Sequence, residues 1–134
     1  MRILAIDVGE KKIGLAVGDT LTGMAFTRPA LLVMSWSEVW KPLQTLCGDE
    51  QIEQVVIGWP MNTDGTTGAQ ASRVDDFIQQ ATAYISIPMV KRDERNTSQA
   101  VQREQKTAGQ KLARGEEDSL AAQLLLETYL MEKR

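Results

Sequence analysis

Two apolar runs open the chain, Arg2 to Val8 and Ile13 to Gly18, separated by the polar link Gly9-Glu10-Lys11-Lys12. A link this short between two strand-like runs predicts an antiparallel hairpin. A third strand is expected over Met24 to Met34, with Pro29 marking an edge or a bulge, because proline gives no N–H to a ladder. Trp36, Val39, Trp40, Leu43, Leu46 and Cys47 then fall at helical spacing. Proline is tolerated only near a helix start, so Pro42 sets the regular part to begin at Trp40 or Lys41, and Gly48 is the expected stop. The Trp36 to Trp40 segment reads as core, with a dimer face as the alternative. Gln54 to Trp59 carries the run Val55-Val56-Ile57, the pattern of a central parallel strand covered on both faces.

The stretch Pro60 to Thr66 is turn-forming throughout. A helix follows, with Val74, Phe77, Ile78, Ala81 and Ile85 on one stripe. Ile87 to Lys91 predicts another strand, opened by Pro88. Asn96 begins a weaker helix with Gln99 as capping-box partner, Lys106 to Gly115 is polar, and a last helix is expected from Glu116 to Glu132. The order β-β-β-α-β-α-β-α-α predicts an α/β fold: a mixed sheet, made of a three-strand antiparallel meander plus parallel strands, flanked by helices. The length suits a single domain spanning 1–134.

Composition narrows the chemistry. There is no histidine and one cysteine. That excludes a Ser-His-Asp or Cys-His nucleophile system, a histidine zinc site, a Cys₄ zinc site and an internal disulfide. The single cysteine fits a reducing compartment. The net charge is −3, but it is unevenly spread. Lys91 to Arg114 holds seven basic and three acidic residues, leaving eight basic and fifteen acidic elsewhere. Such a segment reads equally as a phosphate-binding stripe or as a solvated face. No apolar run approaches the ~18 residues of a membrane span. Asp7 interrupts the N-terminal run, so no signal peptide is read and a cytoplasmic location is expected.

Three acidic positions stand out. Asp7 lies near the end of the first strand, where α/β proteins place ligands; it reads also as a turn residue capping the hairpin. Asp93-Glu94-Arg95 follows the Met89-Val90 strand, as a ligand set or as a surface charge cluster. Asp118 precedes Ala121, Ala122, Leu125 and Tyr129 by three, four, seven and eleven positions, which places it on a core-facing stripe. Helix capping is the equal alternative there. Three carboxylates converging from two strand ends and a helix would suit Mg²⁺ or Mn²⁺, which take oxygen ligands. Two such ions ~3.5–4 Å apart bracket a phosphodiester.

These residues together resemble the YqgF family, also called RuvX, described as pre-16S rRNA nucleases or Holliday-junction resolvases. The resemblance rests on Ile3-Leu4-Ala5-Ile6-Asp7-Val8-Gly9 with Gly14-Leu15-Ala16-Val17-Gly18, and on Val56 to Asn62 with Asp64-Gly65-Thr66. It continues in Asp93-Glu94-Arg95 with Thr97 and Ser98, and in Asp118-Ser119-Leu120-Ala121-Ala122. It implies a ribonuclease H-like fold in which Asp7, Glu94 and Asp118 are the catalytic, metal-binding acids, with Asp93 as an accessory. It further implies that Asn62, Asp64 and Gly65 shape a loop near the site and that Arg95 faces phosphate; on chemistry alone an ion pair of Arg95 with a neighbouring acid is the equal alternative. Three positions depart from the pattern: Glu10 stands where Ser or Thr is frequent, Asn96 where Leu is usual, and Glu116 where a Lys is common. Lys111 or Arg114 is the expected source of the positive charge lost at Glu116.

Four readings follow. The first is a metal-dependent endonuclease acting on structured RNA, the 5′ end of precursor 16S ribosomal RNA. The second is a resolvase of branched DNA, which calls for a symmetric dimer; monomer and homodimer both stay open. The third is half of an actin-like ATPase or kinase, disfavoured by the length and by the lack of a Gly-x-x-x-x-Gly-Lys loop. The fourth is a catalytically silent nucleic-acid-binding module, disfavoured because clustered carboxylates without metal repel one another.

Overall fold

The expected hairpin is formed by β1 (Arg2–Val8) and β2 (Lys12–Asp19), paired antiparallel from Arg2↔Asp19 to Val8↔Ile13. The computed structural model describes residues 1–60, 68–93 and 119–133. Strand β3 (Ala25–Leu32) pairs antiparallel with β2, and β4 (Gln54–Trp59) and β5 (Met89–Asp93) add on the other side of β1 in parallel. The sheet order is β3-β2-β1-β4-β5, which is the mixed sheet expected from the sequence.

Pro29 occupies both of the places expected of it. It lies on an edge strand, and the β2–β3 register slips between Ile13↔Leu31 and Leu15↔Arg28, so that β3 carries one residue more than β2 there. Strand β5 runs two residues later than expected. Proline can join a ladder only through its carbonyl, and Pro88 does so, accepting the Val55 N–H at 2.9 Å.

A 3₁₀ turn (Trp36–Glu38) leads into α1 (Trp40–Asp49), which puts Pro42 in the first helical turn, where its missing N–H costs nothing. Gly48 does not end α1. The reversal falls at Gln51, at φ 54°. Gln51 N–H bonds to Gly48 O and Ile52 N–H to Cys47 O, the paired bonds of a Schellman closure with glutamine at the left-handed position. Helix α2 (Ala69–Ala81) stops before Ile85, whose N–H bonds back to Ala81 O and whose side chain is still buried on the stripe. Helix α3 (Leu120–Glu132) ends where expected, and residues 116–118 of the expected helix lie outside the described residues.

Strand alternation sorts the core into two faces. Leu4, Ile6 and Val8 of β1 join Ile13, Leu15 and Val17 of β2 against Leu43 of α1 and Val74 and Phe77 of α2. Ile3, Ala5, Ala16 and Val56 join Leu125, Leu126, Tyr129 and Leu130 of α3 on the other. Trp40 is buried, and its ring lies 5.1 Å from that of Phe77 and 5.2 Å from that of Tyr84. Trp36 packs edge-on to Phe77 at 5.7 Å. The apolar residues Trp36, Val39 and Trp40 thus pack into or against the core, the first of the segment's two readings, while Ser37 and Glu38 are exposed. Ala122, Leu125 and Tyr129 are buried as their spacing requires, whereas Ala121 is exposed.

Candidate functional site

Asp7 is the next-to-last residue of β1 and pairs with Gly14 on β2. Alternation along β1 continues the series Ile3, Ala5 into Asp7, so its side chain belongs to the face covered by α3. Asp7 is half-buried, while the neighbouring Ile6 and Val8 are buried. On β4, in register with β1 at Ile6↔Ile57, the following residue is Gly58. Glycines therefore stand beside Asp7 on both neighbouring strands, and neither brings a side chain against the carboxylate. This is the carboxyl end of three parallel strands, the edge at which open α/β sheets bind ligands.

The turn beyond Asp7 is tightly held. Gly9 N–H donates to Lys12 O at 2.9 Å, and a Cβ on Gly9 would stand 2.6 Å from that same oxygen, so only glycine fits without a shift. Lys11 O accepts from Val33 N–H at 2.8 Å.

Ser119 is fully buried and is the N-cap residue of α3, yet its hydroxyl caps nothing in the helix. It accepts the Leu15 N–H at 2.9 Å and donates to Arg28 O at 2.6 Å. Leu15 and Arg28 are register partners at the bulge, so the hydroxyl fills the break in the ladder. Helix α3 is in this way pinned to the sheet one residue after Asp118 in the sequence. The expectation gave Ser119 no role; its only sequence signal was membership of the Asp118 to Ala122 block.

Asp93 ends β5 opposite Trp59. Lys91 reaches the Trp59 ring at 4.7 Å and Asp75 at 3.1 Å on the α2 side, while Arg92 lies over Tyr129 and pairs with Glu132 on the α3 side. Alternation assigns Asp93 to the side of Lys91, opposite Asp7. Glu94, Asp118, Asn62, Asp64, Arg95, Lys111 and Arg114 lie outside the described residues. Among the described residues, no three His, Cys, Asp or Glu side chains come together as a metal site.

The chain is 35% identical over 132 residues to a Syntrophus aciditrophicus protein named "Putative pre-16S rRNA nuclease", covering 97% of this chain and 88% of that one. It is 33% identical to a Pseudomonas aeruginosa protein of the same name, over 97% of this chain and 92% of that one. Among solved structures, Thermus thermophilus RuvC in complex with a Holliday junction superposes with a TM-score of 0.64 at 14% identity, covering 99% and 95% of the two chains. The fowlpox virus resolvase bound to junction DNA gives 0.57 at 14% identity, over 99% of each chain. These likenesses show a ribonuclease H-like fold. A family model described as "RuvX: Holliday junction resolvase" matches residues 1–132, and the chain belongs to that family.

Proposed function

We propose that this protein is a divalent-metal-dependent endonuclease that hydrolyses phosphodiester bonds in structured nucleic acid, with the 5′ end of precursor 16S ribosomal RNA as its substrate. The observation that carries this reading is the placement of Asp7: a half-buried carboxylate at the carboxyl end of a central strand, with Gly14 as its cross-strand partner. The names of relatives at 33–35% identity over nearly the whole chain favour the RNA substrate. The description of the family itself favours the second reading, a resolvase of branched DNA.

The donor set suits Mg²⁺ or Mn²⁺. The chain has no imidazole, and its single thiol, Cys47, is buried on the core side of α1, which leaves oxygen donors. Asp7, Glu94 and Asp118 would hold the metal. When bound, a pair of such ions activates water and neutralises charge that develops on the phosphate. Asp7 supplies its carboxylate oxygens from a fixed strand, and the glycines beside it on the two neighbouring strands add no side chain to the approach. Ser119 fixes the start of α3, next to Asp118 in the sequence. Asn62 and Arg95, with Lys111 or Arg114 in place of the charge lost at Glu116, would contact the substrate backbone, where cations and amides position phosphates without reading sequence, and Asp64 would shape the substrate-binding loop beside the site. The protein would work in the cytoplasm as a monomer or homodimer.

The test is cleavage of a labelled precursor RNA and of a four-way DNA junction, each with Mg²⁺, Mn²⁺ or chelator, with Asp7→Asn as control. Metal-dependent cutting that vanishes in Asp7→Asn supports the nuclease, and the preferred substrate decides between the two readings. Metal binding without cutting of either substrate would move the reading to the silent binding module.

A further inference from the structure

Three successive backbone carbonyls beyond Asp7 are held by one turn of α2. Gln70 Nε2 donates to Val8 O at 2.6 Å. Arg73 donates from Nε to Gly9 O at 3.3 Å and from a terminal nitrogen to Glu10 O at 2.8 Å. The Arg73 guanidinium also lies 5.5 Å from the centre of the Trp36 ring, and Trp36 packs on Phe77. One end of the clamp is thus anchored in the core and the other grips the turn that begins one residue after Asp7. Residues 70 and 73 are three apart, so they project from the same face of α2.

We propose that Gln70 and Arg73 are positioning residues for the metal site, setting Asp7 for metal capture by fixing the Val8-Gly9-Glu10 backbone. The inference rests on the reading of Asp7 as a metal ligand. Neither side chain touches metal or substrate in this role; both act through the hairpin. A turn closed only by its own Gly9–Lys12 bond would leave the strand end free to fray. The clamp removes that freedom before the metal arrives, so the ordering cost is not charged against metal affinity. Partners that orient a ligand from behind typically contribute 10–100-fold in metal affinity.

The experiment measures Mn²⁺ binding by calorimetry, with thermal melting and amide exchange at Gly9, for wild type, Gln70→Leu, Arg73→Ala, Arg73→Lys and Asp7→Asn. Gln70→Leu and Arg73→Ala are expected to raise the Mn²⁺ Kd about tenfold or more and to speed exchange of the Gly9 N–H. Arg73→Lys, which keeps a donor, is expected to recover part of the affinity. Unchanged Mn²⁺ affinity in both Gln70→Leu and Arg73→Ala, with or without a lower Tm, would overturn the proposal while leaving Asp7 as a ligand. If Asp7→Asn itself binds Mn²⁺ like wild type, the metal-site reading fails and the positioning role falls with it. Should Arg73→Ala not fold, Gln70→Leu, which removes a single hydrogen bond, decides alone.

Discussion

The backbone N–H of Leu15 is hydrogen-bonded at 2.9 Å to the side chain of Ser119, a residue 104 positions away. The same hydroxyl donates to Arg28 O, so one buried oxygen serves a backbone donor and a backbone acceptor beside the β2–β3 bulge. Ser119→Ala would leave a donor and an acceptor unpaired in a site fully closed to solvent. The expected loss is about 1–3 kcal/mol, since a buried polar group without a partner costs about that much. A shift in the urea midpoint at constant slope measures it. An unchanged midpoint would mean that Leu15 and Arg28 close the ladder directly.

Gln51 occupies the left-handed position that glycine usually takes at the end of a helix. A side chain in that conformation costs roughly 1–2 kcal/mol. Neither Schellman bond, Gln51 N–H to Gly48 O nor Ile52 N–H to Cys47 O, uses the glutamine side chain. Gln51→Gly is therefore expected to stabilise the protein by about 0.5–1 kcal/mol after the entropy of the freer unfolded chain is subtracted. Thermal melting reads the sign directly; a lower Tm would refute it.

These two residues mark how far the sequence could be read. The hairpin and Asp7's place in it were legible because the signals are local: two apolar runs and a short polar link. The mixed sheet, a meander plus parallel strands, followed from connection rules. The end of α1 was misplaced at Gly48 because a glycine in a helix and a glycine ending one look alike, and the left-handed residue proved to be a glutamine. The bulge at Pro29 was legible, but the hydroxyl that mends it comes from the far end of the chain. Gln70 and Arg73 look like ordinary polar positions on a surface helix, and only the fold shows what they grip. The expected last strand stops at Lys91, whereas β5 runs on through Asp93, and only that extension lets alternation assign Asp93 a face.

Cys47 supplies a pH dependence. Burial on the core side of α1 pushes its thiol above the ordinary value of 9.0. The folded state thus favours the protonated thiol. Its contribution to stability is complete below the unfolded-state value and is lost as the pH rises through the folded-state one. As the pH rises above about 9, wild type is expected to lose stability more steeply than Cys47→Ala, while at pH 7 the thiol adds no pH slope. Denaturant midpoints across that range, for both proteins, test the sign. Alkylation by iodoacetamide at pH 8 should be slow in the native state and fast in urea, because the thiolate is the reactive form.

Gly9 and Gly48 are the same residue in opposite circumstances, and the same substitution should act on them with opposite signs. A Cβ on Gly9 would meet Lys12 O at 2.6 Å, and that oxygen belongs to the backbone and already receives the Gly9 N–H. Gly9→Ala must therefore open the turn, at a cost of about 1–3 kcal/mol by analogy with overpacked sites. A Cβ on Gly48 meets nothing within 4 Å, and the residue is helical. Gly48→Ala is expected to stabilise by about 0.4–1 kcal/mol, because alanine gives up less chain entropy in a helix. Melting curves of the two variants establish the signs. Binding then separates their functional effects: the Gly9 variant moves the strand end that carries Asp7 and should lose Mn²⁺ affinity, whereas the Gly48 variant should bind like wild type. Equal affinity in both would mean that the turn geometry beyond Asp7 does not reach the carboxylate.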